Sequence, residues 1–105
     1  MTEYYMLNDK HEAVAVDFDT FIASRQRGGR GFNRVAEDTL PDGRWVSTVF
    51  LGMNHSFRDG PPMIFETLVF PRKGKWTEES GERYSTWDEA MAGHTAVVAK
   101  LKGEG

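Results

Sequence analysis

The chain has 105 residues, 39% apolar and 28% charged, with a formal net charge of -3 and no cysteine. This is the make-up of one globular domain with a modest core rather than of a disordered chain. It excludes a disulfide scaffold, a thiolate zinc site and a cysteine nucleophile, and the acidic balance argues against generic binding along nucleic-acid backbones.

The opening "MTEYYMLNDKHE" has neither a basic n-region nor an apolar h-region, so no signal peptide is expected. No apolar run approaches the roughly 20 residues a membrane helix needs. No internal repeat or Pro/Ser/Gly-rich linker divides the chain, so a single domain over residues 1–105 is expected.

"EYYML" and "AVAV" read as short strands separated by the turn "NDK". Asp17 then stands as an N-cap. Phe18, Phe21, Ile22 and Arg25 follow at spacings of three, four and seven, which places them on one helix face. Asp19 in the first turn suits the positive end of the helix dipole. The helix stops at the paired glycines of "RQRGGRG".

"NRVAEDTL", the turn "PDG" and "RWVSTVFLG" predict a β-hairpin across residues 33–51. A polar loop over 53–62 leads to "MIFETLVF", a strand whose expected partner is 45–51. Residues 71–83 read as a charged loop. Thr86 and Glu89 match a capping box, opening a final helix at about Trp87. Its apolar face holds Trp87, Ala90, Met91, Val98 and Leu101. The expected fold is α+β: an antiparallel meander of three or more strands, a short N-terminal helix, and a C-terminal helix packed on the sheet.

Three residues break this pattern. His94 sits on the apolar stripe of the last helix and should point at the sheet. Glu66 shares strand parity with Ile64, Leu68 and Phe70, a largely apolar face. His55 lies in the polar loop before that strand. A glutamate and two histidines are the minimum for a two-His-one-carboxylate metal site, or for a desolvated general acid/base pair. The competing reading is structural, with Glu66 satisfied by His94 or by an arginine. No H-x-x-x-H or H-E-x-x-H is present, and no metal or other cofactor is expected.

The loop residues Asn54, His55, Ser56, Arg58 and Asp59 form a dense donor and acceptor set, stiffened by "DGPP". Trp76, in the charged loop, is a candidate interface anchor, whereas Trp45 and Trp87 are expected in the core. Arg25, Arg27, Arg30 and Arg34, interleaved with glycines, could contact phosphate, but a solvated helix C-terminus explains them as well. No G-x-S-x-G context surrounds any serine.

"RWVSTVFLGMNHSF", "GPPMIFETLVF" and "ERYSTWDEAMAGH" together resemble a family of small proteins encoded in bacteriophages, prophages and bacterial genomes, over roughly residues 4 to 98. The resemblance implies a source and a size class, and carries over no catalytic residues. Where members of that family look to have Asp, this chain has Asn54. The resulting expectation is a phage-type protein in the cytoplasm of a bacterial host. It would be non-enzymatic and would bind a host or phage protein as a modulator or inhibitor. A small metal-dependent or acid/base enzyme using Glu66, His94 and His55 is the alternative. A nucleic-acid accessory protein is a weaker one. No membrane partner is expected, and thirteen aromatic residues could also supply a homodimer interface.

Overall fold

In a computed structural model, residues 3–28, 34–54, 61–72 and 80–104 are described. The elements in chain order are β1 (Glu3–Leu7), β2 (Ala13–Val16), α1 (Phe18–Gly28), β3 (Arg34–Thr39), β4 (Trp45–Phe50), β5 (Met53–Asn54), β6 (Phe65–Phe70), β7 (Ser80–Tyr84) and α2 (Trp87–Glu104). The fold is α+β. Its strands divide into two antiparallel sheets, a small one in the order β2-β1-β5 and a larger one in the order β3-β4-β6-β7. No helix among the described residues is long and apolar enough to cross a membrane.

Local chemistry accounts for the turns and caps. Asp17 accepts the Thr20 amide at 2.8 Å and starts α1. Thr86 and Glu89 close a reciprocal capping box at 3.1 Å each way and start α2. Between β3 and β4, Gly43 has φ 96, its amide donates to the Leu40 carbonyl at 2.9 Å, and Asp42 accepts the Arg44 amide at 3.0 Å. The predicted pairing of β4 with β6 is present over Trp45–Phe50 and Phe65–Phe70.

The charged stretch 71–83 departs from the expected loop, because its end forms β7, paired with β6 from Ser80 to Tyr84. "SGERY" lacks the alternating apolar residues that mark a half-buried strand. It is an edge strand with Glu82 and Arg83 exposed, and its pairing is supplied by β6.

α2 packs across one face of the larger sheet, and α1 packs on the smaller one through Tyr4, which touches the rings of Phe18 and Phe21. Ile64, Phe65, Val46 and Val69 are fully buried, each contributing about 1.5–3 kcal/mol. That outweighs the roughly 0.2–1 kcal/mol expected of an exposed ion pair, so burial under α2 dominates the stability of the larger sheet.

Gly52 joins the two sheets. The chain leaves β4, turns through Gly52 at φ 74, and continues into β5, while the Gly52 carbonyl accepts the Tyr5 amide at 2.8 Å. A Cβ here would stand 2.7 Å from the buried Phe21 ring. Gly52→Ala is expected to cost about 1–2 kcal/mol from the left-handed backbone alone, and more as Phe21 is displaced. Chemical denaturation read through Tm and midpoint checks this. Hydrogen bonds from Thr20 hold the Asp17 carboxyl below the usual carboxylate range. Its folded value lies below its unfolded one, so its contribution is present at neutral pH and is lost as pH falls through the folded value. Asp17→Asn, which keeps the cap, should flatten that acid limb of stability against pH.

Candidate functional site

On β4 and β6 the residues that face α2 alternate with those that face away. The inward triads are Val46, Thr48 and Phe50, and Phe65, Thr67 and Val69. The register sets Val46 opposite Val69, Thr48 opposite Thr67 and Phe50 opposite Phe65. On α2, Ala90, His94 and Val98 are four residues apart and all buried. Val46, Val69 and Val98 share one apolar cluster, and Phe50, Phe65 and Ala90 share another. Thr48, Thr67 and His94 form a polar layer between them.

The layer is hydrogen-bonded throughout. Thr48 Oγ1 and Thr67 Oγ1 are 2.5 Å apart, and Thr48 Oγ1 lies 2.7 Å from His94 Nδ1. His94 Nε2 is 2.8 Å from Asp38 Oδ2 on β3. A carboxylate only accepts, so Nε2 carries the proton it donates to Asp38. In the neutral ring Nδ1 then accepts from the Thr48 hydroxyl, and Thr48 accepts in turn from Thr67. Beside Thr67 lies the Tyr84 phenol, whose pKa is raised chiefly by burial. Tyr84 rests against Gly93, where a Cβ would meet its ring at 2.3 Å. No buried side-chain nitrogen or oxygen among the described residues lacks a partner.

Carboxylate, imidazole and hydroxyl in series have the connectivity of an acid–base triad. The setting does not suit one. His94 is 4% exposed and Thr48 0%, so no substrate atom can approach the hydroxyl. The layer satisfies buried polar groups and orients α2 on the sheet.

Of the residues expected to form a site, Glu66 and His94 do not meet. Glu66 lies on the sheet face away from α2, where Arg83 Nε donates to its Oε2 at 3.0 Å across the strand pair. His55, Ser56, Arg58, Asp59 and Trp76 lie outside the described residues. Asn54 is buried and its Nδ2 donates to Glu3 Oε1 at 3.1 Å, within the β1–β5 pair. Among the described residues no three His, Asp or Glu side chains could hold a metal ion. Arg25 turns inward over the Phe21 ring and donates to the Leu51 carbonyl. Arg34 pairs with Glu37 at 2.9 Å and lies over Trp45. Arg30 and the side chain of Arg27 lie outside the described residues.

Sequence reasoning missed Asp38, Thr48 and Thr67. A signal for the threonines exists: "VSTVF" and "FETLV" each carry one threonine at the middle of an inward-facing apolar triad. His94 holds the same middle place on α2.

A second place has the shape of a binding site. The turn between β1 and β2, residues Pro61 to Ile64 and the start of α2 enclose a cleft of about 620 Å³, lined by Tyr5, His11, Pro61, Pro62, Trp87 and Asp88 among others. The volume falls within the roughly 300–1,000 Å³ of ligand sites. His11 stacks on Trp87 with ring centroids 3.9 Å apart and planes 9° apart. Its amide donates to the Asn8 carbonyl at 3.0 Å, while the Asn8 side chain accepts the Lys10 and Glu12 amides at 2.9 Å. This is a type I turn followed by one left-handed residue, the position glycine favours. His11 occupies it with φ 63, at a cost of about 1–2 kcal/mol.

Thr48→Val removes a hydroxyl that serves both His94 and Thr67, and should destabilise by about 1–3 kcal/mol. In a double-mutant cycle, Thr48→Val and Thr67→Val together should cost clearly less than the sum of the single changes. Additive costs would show that the two hydroxyls do not act as one layer.

No protein-family model, no curated protein and no solved structure matches the chain.

Proposed function

We propose that the chain is a non-enzymatic protein-binding domain, a modulator or inhibitor of a host or phage protein, that uses the cleft at the head of α2. The observation that carries this reading is His11. A histidine stands where the turn favours glycine, and its ring lies flat on Trp87 at the cleft wall. Backbone strain at an exposed side chain marks a position kept for what the side chain does. Aromatic and proline surface rimmed by charge suits a segment of another protein. The likeness to small phage- and prophage-encoded proteins fits such a partner. Pro61 and Pro62, the proline end of "DGPP", also line the cleft.

An enzyme built on Glu66, His94 and His55 has less support, since Glu66 faces away from α2 and His94 is buried. Among the described residues, no hydrogen bond to a ring nitrogen of His11 orients it as a general acid or base would be oriented. A nucleic-acid role has less support, since Arg25 and Arg34 are engaged within the fold.

The decisive variant is His11→Gly. Relief of the left-handed strain, about 1–2 kcal/mol, offsets a lost ring stack of about 0.5–1.5 kcal/mol. Stability should therefore stay within about 1 kcal/mol of wild type. Affinity capture from host lysate should enrich one stoichiometric protein on the wild-type chain and lose it on His11→Gly. An empty wild-type capture refutes the binding reading, and equal capture by both chains removes the cleft from it.

A further inference from the structure

We propose that the outer edge of β2 receives an extended segment of the partner protein, an apolar strand flanked by lysine or arginine. This deepens the binding reading above and rests on it. The Tyr5 amide donates to Gly52 on the β5 side, and the Asn8 amide donates to Glu12 on the β2 side. Backbone groups of one residue point to the same side of a strand and alternate along it. Tyr4 and Met6 therefore bond to their partners Val16 and Val14. Ala13 and Ala15 turn their N–H and C=O outward. Among the described residues no strand pairs with that edge.

The edges of the larger sheet are protected against pairing and this one is not. β3 carries Arg34, Glu37 and Asp38 and a register shift between Arg34 and Ala36, and β7 carries exposed Glu82 and Arg83. Charges and bulges of this kind keep edges from accepting another strand. β2 reads "AVAV", with no charge, proline or glycine. Beside it, Val14 is 44% exposed and Phe18 53%. Val14 lies opposite Met6, on the sheet face that Tyr4 turns to α1, so an added strand would find apolar surface there.

Charge selects the occupant. β2 is bracketed by the exposed carboxylates Glu12 and Asp17. A second copy joined Ala13 to Ala15 would set Glu12 opposite Val16 and Asp17 opposite His11 of the other chain, with no lysine or arginine opposite either carboxylate. A strand with basic flanks meets both carboxylates favourably.

The probe is a synthetic peptide of alternating valine and threonine with lysines at both ends, titrated into the full chain and followed by NMR. The expected result is binding with slowed exchange of the Ala13 and Ala15 amides, and about ten-fold weaker binding of the same peptide with glutamate flanks. The double variant Glu12→Gln/Asp17→Asn keeps both side-chain hydrogen bonds and should lose most of that preference. Ala15→Pro removes only an outward N–H and should abolish binding with the fold intact. If that variant melts early, Ala15→Lys at the same exposed position serves instead. No binding by the wild type, or equal binding of the two peptides, overturns the proposal. So does a dimer of the free chain that Ala15→Pro dissolves, which would assign the edge to a second copy. A captured partner lost by His11→Gly but kept by Ala15→Pro overturns this proposal and leaves the cleft reading standing, whereas an empty capture fails that reading.

Discussion

The larger sheet and its helix depend on the pairing of two hydroxyls, Thr48 and Thr67, under the imidazole of His94. Each apolar cluster around them tolerates exchange of one hydrophobic residue for another of similar volume. The polar layer does not tolerate displacement. A slip of one residue in β4 against β6 would turn one strand's side chains to the other face. A slip of two would set a threonine opposite valine or phenylalanine. Rotating or sliding α2 would strand His94 against aliphatic surface. Each error leaves a buried polar atom unpaired, at about 1–3 kcal/mol, against a total stability of only about 5–15 kcal/mol for a domain. The layer adds little net energy, yet it selects one register and one helix position.

The two sheets divide the work. The larger one is held by burial under α2 and ends in charged edges. The smaller one is light, with a two-residue strand on one side of β1 and an uncharged strand on the other. The two-residue link of Leu51 and Gly52 carries the chain from one sheet to the other, with Gly52 at φ 74. The cleft opens where the β1–β2 turn meets the head of α2, and the free edge of β2 begins at Ala13, which also lines the cleft. The two features proposed for binding are thus adjacent.

Much of the architecture was legible because it is written in short-range chemistry. The Asp17 cap, the Thr86–Glu89 box, the "PDG" turn and the inward stripe of α2, apart from Met91, which is exposed, each depend on residues within a few positions of one another. β7 was not legible, since an exposed edge strand needs no apolar alternation of its own. For the site, helix periodicity marks His94 as an inward-facing polar residue, and the strand pattern offers Glu66 as one partner for it. Glu66 has the larger polar group and the more obvious anomaly, yet its parity places it on the outer face, where Arg83 meets it. The partners that answer His94 are threonines, which alone read as ordinary strand formers. His11 carries no signal in the sequence, because a left-handed backbone angle leaves no mark in composition.

By itself the sequence determined the class of fold, the helix limits, the main hairpin and the presence of a buried imidazole, since periodicity and capping are local properties of the chain. Only the tertiary structure decided which polar groups meet, because contact across strands depends on register and parity, and a single step of parity separates Thr67 from Glu66. It likewise decided that the strands form two sheets, that His11 lies on Trp87 at a cleft, and that the edge of β2 stands open. Those are relations between segments far apart in the chain, set by how the whole core packs.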